Sequence, residues 1–185
     1  MSGVPAVFLD RDGTLIEDTS FVRDPAQVRL IPGATAAVAR FNAAGWRTVV
    51  VTNQSGIARG LLTEGEYAAV AAHVDRLFRD AGAHLDVQLH CPHLPEITGP
   101  CPCRKPLTGL YEKAAARLAI DVAASWYVGD RLRDLLPSRA LGGHGLHVLS
   151  GDRSEDAAVA SAGFRSVRDL AEAADLILAP SQRRP

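Results

Sequence analysis

The chain has 185 residues, 47% apolar and 22% charged, with a formal charge of -1 at pH 7. That length suits one core-forming domain, and the near-neutral balance gives no support for nucleic-acid or membrane binding as the main role. No apolar run approaches the 18 residues a membrane-spanning helix needs, and the N-terminus carries no basic-then-apolar leader. A soluble, cytoplasmic monomer without nucleic-acid or membrane partners is therefore expected.

In chain order, Ala6-Val7-Phe8-Leu9 reads as a buried strand that stops at Asp10-Arg11-Asp12-Gly13-Thr14. Two carboxylates two residues apart repel once they lose water, so the pair needs a compensating cation. Without one, the stretch is an Asp-rich turn. Glu17 to Ser20 is polar loop, and Pro32-Gly33 introduces a helical pattern through Ala37, Val38 and Phe41 that ends at Gly45. Arg47 to Thr52 is a β-branched second strand, followed by Asn53-Gln54-Ser55-Gly56, which by itself could be a simple turn. Thr63 to Gly82 reads as a helix with a Thr63/Glu66 capping box, and Asp86 to His90 as a third strand.

Cys91, His93, Cys101 and Cys103 fall in a proline-rich loop that leads into Arg104-Lys105-Pro106. Three thiols and an imidazole make a complete tetrahedral set for structural Zn²⁺, and an odd, clustered number of Cys argues against a disulfide framework. Buried free thiols are the alternative. Of 20 basic residues only two are Lys, Lys105 and Lys113, so a Lys between Arg104 and Pro106 is informative. A helix follows from Thr108 to Ala119. Ser125 to Val128 is a fourth strand ending in Gly129-Asp130, whose plainer alternative is a cap for a helix beginning there, with Pro137 in its first turns. Gly145 to Leu149 is a fifth strand. Helices near Glu155–Ala162 and Val167–Leu178 complete one domain over residues 1–180, and 181–185 form a flexible tail. The alternation predicts an α/β, Rossmann-like three-layer α/β/α fold with a mainly parallel sheet, a zinc-binding loop and no separate cap domain. The polar strand ends Asp10, Asp12, Thr52 and Asp130 should then converge.

Asp10-Arg11-Asp12-Gly13-Thr14, Thr52, Lys105 and Gly129-Asp130 with Asp134, in that order, resemble the haloacid dehalogenase (HAD) superfamily of phosphotransferases. The resemblance implies Asp10 as nucleophile, Asp12 as general acid/base, and Thr52 and Lys105 as holders of the phosphoryl group. It implies catalytic Mg²⁺ bound by Asp10, the Asp12 carbonyl and Asp130, with Asp134 behind them. Asp18, Thr19, Ser20, Phe21, Asn53, Gln54, Ser55 and Arg104 are the implied substrate-binding positions. The cysteine loop narrows the resemblance to sugar-bisphosphate phosphatases, with a small phosphorylated sugar as substrate and histidinol-phosphate phosphatases as the alternative. A non-catalytic zinc-stabilised binding protein is a remote third reading. Arg104, beside Lys105, is expected to reach a second phosphate. Arg131, Asp18 to Phe21 and the segment after Asp134 depart from the usual pattern of the sugar-bisphosphate branch.

Overall fold

The computed structural model describes residues 3–179; the expected tail, 181–185, lies outside the described residues. Six strands form one parallel sheet: β1 (Ala6–Leu9), β2 (Arg47–Asn53), β3 (Val87–Cys91), β4 (Trp126–Gly129), β5 (His144–Val148) and β6 (Arg165–Val167). Their order is β3-β2-β1-β4-β5-β6. The helices are α1 (Ala34–Ala43), α2 (Ser55–Ala58), α3 (Glu64–Asp80), α4 (Pro95–Thr98), α5 (Gly109–Leu118), α6 (Leu132–Leu135), α7 (Pro137–Leu141), α8 (Asp156–Ser161) and α9 (Leu170–Ile177).

All four residues of β1 are buried because the strand is central and both its faces are covered. Val7 and Leu9 face a core built with α1, α3 and α9, including Phe41, Val74, Phe78 and Ile177. Ala6 and Phe8 face the other, where the Phe8 ring stacks on Tyr127 at 4.9 Å and meets Tyr111 edge-on at 5.1 Å. The sheet thus forms the middle of three layers, as the alternating strands and helices predict. The Thr63/Glu66 capping box opens α3, with Glu66 N–H donating to Thr63 Oγ1 at 3.1 Å.

Two expectations are corrected. The last helix begins at Leu170, capped by Asp169, and Val167 instead ends the edge strand β6. A three-residue strand with a single buried side chain has too short a pattern to be seen in sequence. Pro137 does not lie inside one helix after Asp134: it is the first residue of α7, which follows the single turn of α6. Its missing N–H is harmless there and would break a continued helix.

Candidate active site

The chain reverses its direction of travel across the sheet between β1 and β4, and there the two strands' carboxyl ends leave a crevice. A cavity of about 280 Å³ occupies it. Its lining includes Asp10, Asp12, Thr52 and Lys105.

Asp10 directly follows β1 and is held by its N–H, which donates to Val128 O of β4 at 2.9 Å. Asp130 follows β4, and Asp134 lies in α6. The carboxylates of Asp10, Asp130 and Asp134 are all buried, with one oxygen of each within 4.8 Å of the others. Lys105 enters among them: its Nζ lies 2.7 Å from Asp10 Oδ1 and 2.8 Å from Asp134 Oδ1, and donates to Val51 O at 2.6 Å. Burial alone would favour the neutral amine, but Asp10 and Asp134 outweigh it and hold the Lys105 pKa above its ordinary value. One ammonium does not balance three carboxylates. Burial, then Asp10 and Asp134, push Asp130 up to about 7, and burial likewise raises Asp134 despite Lys105. The cluster is short of positive charge.

The donor set fits a hard divalent cation. Asp130 Oδ2 accepts from Asp152 N–H at 2.8 Å, whereas its buried Oδ1 has no partner. Asp134 is differently placed: one oxygen pairs with Lys105 and the other accepts from Arg131 N–H at 3.0 Å. That suits a supporting role behind a metal. Two glycines make room for the Asp130 carboxylate. A Cβ on Gly13, whose φ is +83°, would come within 2.3 Å of Asp130 Oδ2, and one on Gly151 within 2.2 Å. Behind Asp130, the buried His147 Nε2 lies 3.0 Å from its carbonyl oxygen.

Asp12 keeps 21% side-chain exposure toward the cavity. Burial, reinforced by Asp10, raises its pKa against the opposing pull of Arg11 and Gln54. Arg11 is itself buried, bonded to both Asp12 oxygens at 3.0–3.2 Å and lying over the Tyr67 ring. Gln54 Nε2 donates at 2.9 Å both to Asp12 Oδ2 and to Thr52 Oγ1. Asn53 clasps the Lys105 backbone, accepting its N–H at 3.0 Å and donating to its carbonyl at 3.2 Å. Asn53 and Gln54 therefore line the cavity while positioning Lys105, Asp12 and Thr52. Ser55, Asp18, Ser20 and Phe21 also line it; Thr19 does not. Ser20 and Phe21 both have φ near +60°, strained for non-glycine residues, and the Phe21 ring occupies the space a Gly56 side chain would need.

Cys91, His93, Cys101 and Cys103 converge as the sequence predicts. Their closest S···S and S···N separations run from 3.0 to 3.8 Å. A tetrahedral ion with 2.3 Å bonds to sulfur sets sulfur atoms about 3.8 Å apart. Burial opposes ionisation of Cys101, but hydrogen bonds from Cys103 and from the Cys103 and Arg104 backbone outweigh it and draw its pKa down to about 7, whereas burial pushes the Cys91 and Cys103 thiols up. Arg104 is not brought to the cavity: its Nη1 donates to His93 O at 3.0 Å, tying it to the cysteine loop.

Lys105→Met is expected to destabilise the metal-free protein by about 3–5 kcal/mol, because it leaves Asp10 and Asp134 buried without a counter-charge. Denaturant unfolding measures this. A change below about 1 kcal/mol would show that the carboxylates readily take up protons instead.

A HAD-hydrolase-like family profile matches residues 102–173. A D-glycero-β-D-manno-heptose-1,7-bisphosphate 7-phosphatase of Mesorhizobium japonicum is 40% identical over 183 residues, 95% of this chain and 82% of the relative. The chain belongs to the HAD-like heptose-bisphosphate phosphatase family. Its Yersinia pestis member is 42% identical over 71% of this chain and 73% of the relative. Among solved structures, the D,D-heptose 1,7-bisphosphate phosphatase of B. bronchiseptica, complexed with magnesium and phosphate, superposes with a TM-score of 0.84. It is 36% identical, over 95% of this chain and 98% of that one. The Burkholderia thailandensis phosphatase gives 0.69 at 31% identity, over 95% and 99%.

Within this family framework, sequence reasoning missed four side chains in or beside the cavity. Arg11 was legible only as part of the Asp-rich motif, and Arg131 only as a departure from pattern. Arg131 joins two loops, its Nη1 lying 2.7 Å from Asp152 Oδ2 and its Nη2 3.5 Å from Asp18 Oδ2. Arg133 and Asp152 carried no sequence signal at all.

Proposed function

We propose that this chain is a Mg²⁺-dependent phosphatase that removes the 7-phosphate of D-glycero-D-manno-heptose 1,7-bisphosphate in nucleotide-activated heptose biosynthesis. The observation that carries this reading is the buried set of Asp10, Asp130 and Asp134 around Lys105, opening on a polar cavity. It is supported by relatives bearing that activity's name.

The Asp10 carboxylate attacks phosphorus, and the bond from phosphorus to the sugar oxygen breaks. Asp12, whose raised pKa favours the acid form, gives its proton to the departing alkoxide. Arg11 and Gln54 keep Asp12 directed, and Thr52 and Lys105 hold the phosphoryl oxygens. Asp12 then takes a proton from water, whose oxygen attacks the phosphoryl group; the bond to Asp10 breaks and inorganic phosphate leaves. Mg²⁺ held by Asp10, Asp130 and the Asp12 carbonyl, with Asp134 behind them, would offset the repulsion between carboxylate and phosphate. Structural Zn²⁺ held by Cys91, His93, Cys101 and Cys103 would stiffen the loop that delivers Lys105. We further propose a single domain over residues 1–180, working as a cytoplasmic monomer. Among the described residues no helix is long and apolar enough to cross a membrane.

Histidinol phosphate suits the cavity less well, since its cationic amine would meet Arg131 and Arg133 in the lining. Initial rates should favour the heptose bisphosphate over histidinol phosphate by roughly tenfold or more, about 1.4 kcal/mol in the transition state. Turnover should vanish on chelation and return with Mg²⁺. Preference for histidinol phosphate would overturn the substrate, and full activity after chelation the metal-assisted chemistry.

A further inference from the structure

Asp130 is held at two points, and one of them is a side chain with no part in the chemistry above. Its carboxylate accepts from Asp152 N–H through Oδ2 at 2.8 Å. Its carbonyl lies one residue past Gly129, the last position of β4 paired with β5, so the strand ladder stops short of it. A buried carbonyl needs a donor, and His147 supplies one, with Nε2 3.0 Å from Asp130 O. A carbonyl can only accept, so Nε2 carries the proton. Nδ1 lies 3.0 Å from Ser166 Oγ on β6, a hydroxyl that can turn to suit it. Asp156 Oδ1 stands 3.9 Å from Nε2, too far to compete for that hydrogen. The imidazole is thus fixed at both nitrogens, on a residue of β5 that is fully buried.

The consequence falls on the far side of Asp130. With Oδ2 and the carbonyl both engaged, the buried Oδ1 is the oxygen left without a partner. The carboxylate stands in the cluster with Asp10 and Asp134. A ligand oxygen set in place beforehand leaves less ordering to be done when a cation binds. We infer that His147 is a positioning residue for the cation site: backed by Ser166, it fixes the Asp130 main chain and so keeps the Asp130 carboxylate set among Asp10 and Asp134. This rests on the metal-assisted phosphatase reading above. Along the chain His147 is only one residue of the fifth strand; the fold alone brings it behind Asp130.

The test measures Mn²⁺ binding to the whole chain from the loss of the free-ion paramagnetic resonance signal, with Mg²⁺ as competitor. Alongside it, kcat and KM for the heptose bisphosphate are measured at saturating Mg²⁺. His147→Asn puts its amide where Nδ1 stands, short of Asp130 O, and should weaken binding of either ion roughly 10-fold. His147→Gln reaches as far as Nε2 and should stay within about threefold of wild type. KM for the substrate should barely move in either variant, because position 147 is not at the cavity wall. Ser166→Ala keeps the ring but frees one side of it, and should give a smaller loss in the same direction. It carries the test should His147→Asn fail to fold. Wild-type ion affinity in His147→Asn, or in Ser166→Ala where that variant stands in for it, overturns the inference. Equal loss in His147→Asn and His147→Gln overturns it too, since only the imidazole's bulk would then matter. Wild-type protein that binds neither ion overturns the metal-site reading beneath it. Wild-type protein that binds them but hydrolyses no phosphate ester overturns the phosphatase reading, while the variants still decide the role of His147 from ion binding alone.

Discussion

Asp10→Asn is expected to reduce turnover of the bisphosphate by roughly 10⁴-fold or more, the scale seen when a covalent nucleophile is removed. The amide is nearly the same size as the carboxylate but cannot attack phosphorus, so the phosphoenzyme does not form. The fold should survive, because Lys105 keeps Asp134 at 2.8 Å and the carbonyl of Val51 at 2.6 Å. Burial and, after it, repulsion from Asp10 and Asp134 push Asp130 up to about 7, so removing one of three crowded carboxylates also relieves part of that repulsion. Thermal unfolding should therefore shift little while phosphate release disappears. Wild-type rates in a well-folded Asp10→Asn protein would remove Asp10 from the chemistry. Asp12→Asn should fail for a different reason: it can neither protonate the leaving oxygen nor activate water.

The second large effect concerns the cysteine loop. Protein purified without added metal should carry about one Zn²⁺ per chain, and Cys101→Ser should lose both the ion and several kcal/mol of stability, since binding to an unformed site is folding free energy. Activity should fall with it, although no cysteine touches the cavity. Cys91 ends β3, and its carbonyl accepts from Gln54 N–H at 2.8 Å; fourteen residues on, Lys105 is clasped by Asn53. The loop between them sets where Lys105 enters the carboxylate cluster. Elemental analysis and denaturant unfolding check this prediction, and a metal-free protein with an unimpaired Cys101→Ser variant would contradict it. The family's bound magnesium and phosphate in the B. bronchiseptica structure concern the other metal, so the zinc experiment stands independently.

What the amino-acid sequence determined by itself is local. Ala6 to Leu9 and Arg47 to Thr52 are runs that lose the most by being exposed, and each ends in polar residues that cannot follow it into the core. That boundary marks a strand end, and parallel packing then brings such ends together at one edge, so Asp10, Thr52 and Asp130 could be paired in advance. The cysteine set was equally legible, because its chemistry narrows the possible geometries to very few.

The tertiary structure decided what depends on long-range approach. Lys105 meets Asp10 across 95 residues of chain and, from the opposite side, Asp134 on another element, which no periodicity encodes. Gly13 and Gly151 face the same Asp130 carboxylate only because the loops after β1 and β5 close over it. Arg104 and Arg133 look alike as isolated arginines. The backbone turns one toward a carbonyl of the cysteine loop and leaves the other lining the cavity with an unpartnered donor. A side chain's partner is set by which atoms packing brings within about 3 Å, and that distance is a property of the folded chain rather than of its neighbours in sequence.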